Sequence, residues 1–222
     1  MGTIPHTHEL FDLSNTIATE LLKKSTYPWD VLDSIKSFTL YIGKKLDPNL
    51  FDNPSDGIWI AKSASVAPTA HIGSPCIIDA GAEIRHCAYI RGSAIVGKDA
   101  VVGNSCELKN CILFDKVQVP HFNYVGDSIL GFRSHMGAGA VTSNVKSDKT
   151  LISVKSHDEM IETGRKKLGA ILGDNVEVGC NSVLCPGAII GKSSNIYPLS
   201  RVRGVVPPNS IYKSSGNIVK KY

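Results

Sequence analysis

VAPTAHIGSPCIIDAGAEIRHCAYIRGSAIVGKDAVVGNSCELKNCILF, residues 66–114, carries a large apolar residue at every sixth position. With Ile60 ahead of it the series runs Ile60, Val66, Ile72, Ile78, Ile84, Ile90, Val96, Val102, Leu108 and Phe114. Ile, Val, Leu and Phe make up about 28% of the chain, so ten consecutive hits in one register have odds of about three in a million. A second register follows at Leu172, Val178, Leu184, Ile190, Ile196 and Val202. Four positions after the aliphatic lies a mostly small residue: Ala64, Ala70, Cys76, Ala82, Ala88, Ala94, Ala100 and Cys106. One large inward residue and one small corner residue per hexad predict an all-β fold, a left-handed parallel β-helix in which three hexads make one triangular coil.

This period converts spacing into position. Residues 18 apart fall on successive coils, separated by the inter-strand distance of about 4.8 Å. Arg91 and Lys109 are such a pair, and both directly follow an inward aliphatic, so both point outward. Stacked cations repel. Either they splay into solvent, or an anion such as a phosphate sits between them.

Composition is that of an ordinary folded domain, 42% hydrophobic and 20% charged, with a net charge of +4 too weak and too dispersed to indicate nucleic acid. No apolar run reaches the length of a membrane span. Met1–His8 lacks the basic start and apolar core of a signal peptide. The six cysteines form no CxxC pair and none stack 18 apart; Cys76 and Cys106 fall at inward corners. Reduced thiols and a cytoplasmic location are expected.

Three regions are expected. Residues 1–59 lack the hexad and form a helical N-terminal cap over the end of the solenoid. One helix follows the spacing of Leu10, Leu13, Ile17, Leu21 and Leu22 and ends near Lys24; a second starts at Tyr27-Pro28-Trp29. Residues 60–208 form the β-helix. Its period slips at Pro120 and disappears from about Asn144 to Ala170, where residues 145–170 read as an arm that loops out of the prism. Residues 209–222 form a polar tail.

The slip at Pro120 introduces His121-Phe122-Asn123-Tyr124-Val125-Gly126-Asp127 and turns His121 outward, on the coil that carries Lys109 and next to the stack that includes Arg91. From Gly103 to Lys109, and again from His121 to Asn144, the chain resembles the acetyltransferase domain of glucosamine-1-phosphate acetyltransferase/UDP-N-acetylglucosamine pyrophosphorylase. It is still more similar to the C-terminal domains of archaeal-type sugar-1-phosphate nucleotidyltransferases. Gly137-Ala138-Gly139 matches the family's following turn, Thr163–Gly169 resembles the archaeal-type arm, and Tyr27–Leu32 resembles the linker helix. The resemblance implies catalytic roles for His121, as general base, and for Ala138, whose backbone N–H faces the oxyanion. It implies acceptor binding by Arg91, Lys109, Tyr124, His135, Asn144 and Lys149, with Lys146 as a competitor for the last role. It also implies acetyl-CoA as co-substrate, held at Ala138, Cys180 and Pro198, no metal, and a homotrimer. His135 and Pro198 depart from the bacterial pattern, in which an Asn and a small residue occupy those positions.

The chemistry suits these residue types. An amino sugar is largely an ammonium at neutral pH and needs a base to free its lone pair for attack on a thioester. Paired cations orient a sugar phosphate. The expected activity is N-acetylation of a hexosamine 1-phosphate or a related amino-sugar nucleotide. Two other classes compete. One is a non-catalytic β-helix that retains sugar-phosphate binding for assembly or regulation. The other is a metal-dependent hydratase built from three shared histidines, but His71, His86, His121, His135 and His157 lack that spacing. No Gly-rich nucleotidyltransferase loop is present.

Overall fold

The computed structural model describes residues 3–221; Met1, Gly2 and Tyr222, part of the expected cap and tail, lie outside the described residues. Hexads become short parallel strands joined by tight corners, three to a coil. The first face stacks Ile58–Ala61, Cys76–Ile78 and Ala94–Val96, then continues to Val205–Val206. The second runs from Ser65–Val66 through Gln118–His121 to Asn195–Ile196. The third includes Tyr89–Ile90, Val141–Thr142 and Val183–Leu184. This is the parallel β-helix predicted by the hexads. Ile78, Ile84, Ile90, Val96, Val102 and Leu108 are all inside it, at 0–1% exposure. Corners close through single residues in the left-handed region, among them Cys87, Ser105, Asn110, Asp127 and Asn181. The six cysteines are free, with Cys76 and Cys106 buried at the expected corners.

Four expectations need correction. First, the period slips before Pro120. Leu113, not Phe114, pairs with Val96, while Leu108 pairs with Ile90. The corner between them has lost one residue, and Phe114 falls at the next corner, where it packs on Phe11 with ring centroids 4.9 Å apart.

Second, most of the N-terminal segment does not cap the end; only its last strand, Phe51–Ser55, does so, pairing antiparallel with the edge strand Ile58–Ala61. Ile60, Val66 and Ile72 of the first coil stay half-exposed. The segment instead lies along the first face, where Ile35–Gly43 packs on three successive strands and Pro28–Ser34 on a fourth. Hence the outward residues Ile77, Ile95, Ile112 and Ile129 beneath it are as buried as the inward ones, at 0% exposure, as are Ile171 and Ile189 further along the same face. Each contributes about 1.5–3 kcal/mol relative to an exposed side chain.

Third, the first expected helix breaks into Thr7–Leu10, Leu13–Asn15 and Thr19–Leu22. Local side chains capture its backbone: Asp12 accepts the Ser14 N–H at 3.0 Å and Thr16 Oγ1 accepts the Ala18 N–H at 3.1 Å. The second helix starts as expected, with Pro28 in the first turn and Asp30 accepting the Tyr27 N–H.

Fourth, the arm folds back onto its own prism. It is an antiparallel hairpin, Ile152–Lys155 with Met160–Arg165, whose Ile152 and Val154 are buried together with Leu168. Its Glu159 accepts the Ile4 N–H, and its Arg165 pairs with Asp33. The polar tail likewise forms a hairpin, Ser210–Ser214 with Asn217–Lys220, that extends the second face.

Because the first face is sandwiched, Ile112→Ala should cost about 2–5 kcal/mol, as for a core residue. Chemical denaturation measures this directly. A loss below about 0.5 kcal/mol, the range of an open surface, would contradict the lengthwise packing.

Candidate active site

Two corners flank the third face. At one, the normal three-residue turn Arg91-Gly92-Ser93 is followed on the next coils by shortened turns, Lys109-Asn110 and Gly126-Asp127. Asn110 and Asp127 adopt φ of 49°, a conformation that Asn and Asp tolerate better than most residues. This tightening brings side chains of successive coils together on Asp127, which is 4% exposed. Its carboxylate accepts from Lys109 Nζ at 3.0 Å, from Asn110 Nδ2 at 3.0 Å and from Asn144 Nδ2 at 2.5 Å. Asn144 Nδ2 also reaches the Tyr124 hydroxyl at 3.1 Å. Desolvation, aided by the negative charges of Asp127 and Glu107, pushes the Tyr124 hydroxyl above its ordinary pKa and keeps it protonated.

Arg91 and Lys109 do stack in register, but their charges are not left facing each other. Arg91 pairs with Glu107 at 2.9 Å and Lys109 with Asp127 at 3.0 Å. The sequence reading overlooked both carboxylates, although Glu107 alternates with Lys109 on one strand and Asp127 is one coil on. The guanidinium and ammonium keep further N–H donors free of those bonds, so anion binding at the pair remains chemically available.

The arm supplies a second wall. The segment that returns from it is hydrogen-bonded to the site itself: Gly169 N–H to the Asp127 carbonyl at 2.8 Å and Leu168 N–H to the Asn144 carbonyl at 3.1 Å. Position 169 must be glycine, because a Cβ there would come within 2.2 Å of the Gly126 carbonyl and Ser128 Oγ. A groove of about 560 Å³ results, lined by Lys109, Asn110, Asp127, Arg165, Lys166 and Lys167 among others. Lys149 is exposed in the turn before the hairpin and has no side-chain contact with this network; Lys146 bonds Thr150 and Leu151 in that same turn. Lys166 and Lys167, within the Thr163–Gly169 stretch, are the arm lysines that reach the groove.

The other corner forms a ladder. Backbone bonds run from Phe122 N–H to the Asn104 carbonyl, Gly139 to His121, Asn181 to Ala138 and Leu199 to Cys180. His121, Ala138, Cys180 and Pro198 are therefore one column along a prism edge, although 77 residues separate its ends. Buried Asn123 fixes the first rung: its Oδ1 accepts the His121 N–H at 3.1 Å, and its Nδ2 donates to the Gly137 and Ala140 carbonyls at 2.9 and 3.0 Å. His121 is exposed, and the Ala138 N–H has no acceptor among the described residues. His135 does not join this set. It lies at the far end of the second face and pairs with Glu177 at 2.9 Å. A separate exposed cluster, His6, His8 and Glu9, brings three potential metal ligands within 4.8 Å near the N-terminus, away from both corners.

The ion pairs give the two cations unequal weight in the fold. Lys109→Ala strands a buried carboxylate and should cost about 1–3 kcal/mol. Arg91→Ala touches a half-exposed pair and should cost under about 1 kcal/mol. Adding Asp127→Asn to Lys109→Ala should recover part of the loss. Equal effects of the two single substitutions in thermal unfolding would contradict the assignment of Asp127 as a buried partner.

Comparison with known proteins gives the same neighbourhood. Bifunctional protein GlmU of Methanococcus vannielii is 33% identical over 197 residues, 87% of this chain and 47% of that protein. The bifunctional sugar-1-phosphate nucleotidylyltransferase/acetyltransferase of Sulfurisphaera tokodaii is 34% identical over 111 residues, 50% of this chain and 28% of that protein. The chain thus spans at most about half the length of these relatives. Among solved structures, the acetyltransferase domain of PglB from Neisseria gonorrhoeae, in complex with acetyl coenzyme A, aligns over 72% of this chain and 56% of its own, with 14% identity and a TM-score of 0.35. The profile described as GMPPB C-terminal domain matches residues 72–190, more than half of the chain, and takes in the two corners from Arg91 to Cys180 but not Pro198. By that match, the chain belongs to the GMPPB C-terminal domain family.

Proposed function

We propose that the chain is an acetyl-CoA-dependent N-acetyltransferase acting on a hexosamine 1-phosphate or a related amino-sugar nucleotide. The observation that carries this reading is the pairing of the two corners across one narrow face. One presents a basic, hydrogen-bonding groove and the other a column with a free imidazole and a free backbone N–H. The Sulfurisphaera tokodaii relative, a nucleotidylyltransferase/acetyltransferase by name, supports it.

In this reading Arg91 and Lys109 hold the acceptor phosphate, with Lys166 and Lys167 closing the groove in the role expected of Lys149. Tyr124 and Asn144 position the sugar. His121 takes a proton from the attacking amine as the N–C bond forms, and the Ala138 N–H stabilises the oxyanion. Collapse breaks the C–S bond, and the departing thiolate takes up a proton as CoA. Acetyl-CoA lies along the column through Cys180 and Pro198. A homotrimer is proposed on the exposed apolar residues of the third face and its edge: Tyr89, Phe122, Val183, Tyr197 and Leu199.

His121→Ala should leave fold and assembly intact and lower kcat by about 10²–10⁴. KM for the phosphorylated acceptor should change little. The defect should narrow at high pH, where the amine is already neutral; an equal loss at every pH would assign His121 to positioning. If wild type releases no CoA with any amino-sugar phosphate or nucleotide, a binding role replaces the enzymatic one. Sedimentation equilibrium should give three copies per particle, and a stable monomer at micromolar concentration would contradict the proposed assembly.

A further inference from the structure

The corner between the first and second faces takes no part in the site above, yet it borders a cavity of about 510 Å³. The N-terminal segment closes it with Ile17, Leu46, Leu50 and Phe51, so most of the wall is apolar. A volume of this order with few polar anchors is typical of small-molecule sites.

One polar anchor is out of place. Asp79 is 4% exposed and lines the cavity. Strand register places Ala61, Gly97, Phe114, Gly131, Gly173 and Gly191 at the same position on other coils. The fold therefore accepts a small or apolar residue here and needs no acid. Two other acids one position further along do serve the coil: half-buried Asp115 accepts the Lys98 N–H, and buried Asp174 accepts the Phe132 and Asp12 N–H groups beside Lys192. Asp79 accepts only the N–H of its neighbour Ala80, at 2.7 Å through Oδ1. Its Oδ2 has no hydrogen-bond partner among the described residues. Burial raises its pKa, and the Ala80 N–H and the charge of Lys98 offset that cost only in part.

We infer that this cavity is a binding site for a small organic cation, with an ammonium or similar donor group set against Asp79 and an apolar body between Ile17, Leu46, Leu50 and Phe51. Asp115, on the same wall, adds to the negative field. Two lysines also border the cavity. Lys62 is engaged by the Pro48 carbonyl at 3.1 Å and lies 3.9 Å from Asp52. Lys98 makes no ion pair among the described residues, and its charge lowers the Asp79 pKa without a hydrogen bond. Lys98 is the natural competitor of the ligand.

The test uses the full chain and four probes: n-butylamine, n-hexylamine, hexanol and hexanoate, titrated by calorimetry. Hexylamine should bind one per chain. Affinity should rise about fourfold per added methylene, and hexanol should bind at least about tenfold more weakly. Asp79→Asn keeps the shape and the Ala80 bond. It should weaken hexylamine at least about tenfold while the melting temperature holds or rises. Lys98→Met, which removes the competing charge, should leave hexylamine binding unchanged or tighter. Equal binding of hexanol and hexylamine would overturn the inference. So would unchanged affinity in Asp79→Asn, or tighter binding of hexanoate, or the absence of saturable amine binding. None of these readouts depends on acyl transfer.

Discussion

Each coil must close on itself while its strands stay paired with those above and below. That constraint of closure governs everything else in this molecule. A coil of three hexads can lose a residue only at a corner, and the chain does so at Lys109-Asn110 and again at Gly126-Asp127. The tighter turns require left-handed residues, and Asn110 and Asp127 accept that conformation. The same shortening draws Lys109, Asn110 and Asn144 onto one buried carboxylate. A backbone adjustment thus becomes a charged, preorganised cluster. The long arm leaves from the same corner two coils on, and its return is stitched to the Asp127 and Asn144 carbonyls. Site and arm are consequences of one irregular edge on an otherwise regular prism.

Much of this was readable in the amino acids. Six-residue spacing is a direct record of inward and outward orientation, so the β-helix and the alignment of Arg91 with Lys109 followed from counting. The column of His121, Ala138, Cys180 and Pro198 was legible only through resemblance, because the 42-residue step from Ala138 to Cys180 hides the 18-residue rule. Phe114 misled because it keeps the hexad in sequence while the strand register has already moved. No local pattern distinguishes a phenylalanine inside a coil from one at its corner.

What the spacing could not convey is pairing between non-repeating parts. The N-terminal segment has helical apolar spacing whether it covers the end or the flank of a solenoid. The six buried isoleucines of the first face, each next to an inward residue, were the available signal: they make that face apolar on both sides. Glu107, Asp127 and Asn123 were visible as letters but not as partners. The two-cation stack was legible from spacing, but the carboxylates that pair with it come from a neighbouring strand position and the next coil and were not. These carboxylates hold the cations in place while leaving N–H donors unused.

The central claim is that the two corners are halves of one site, spanned by a single acceptor molecule across the third face. A crystal structure with glucosamine 1-phosphate and CoA tests it most directly. The account predicts the phosphate within hydrogen-bond reach of Arg91 and Lys109, the amine turned toward the His121 imidazole, and the CoA thiol beside Ala138. A phosphate bound elsewhere, or an amine directed away from His121 with the phosphate correctly seated, would contradict it.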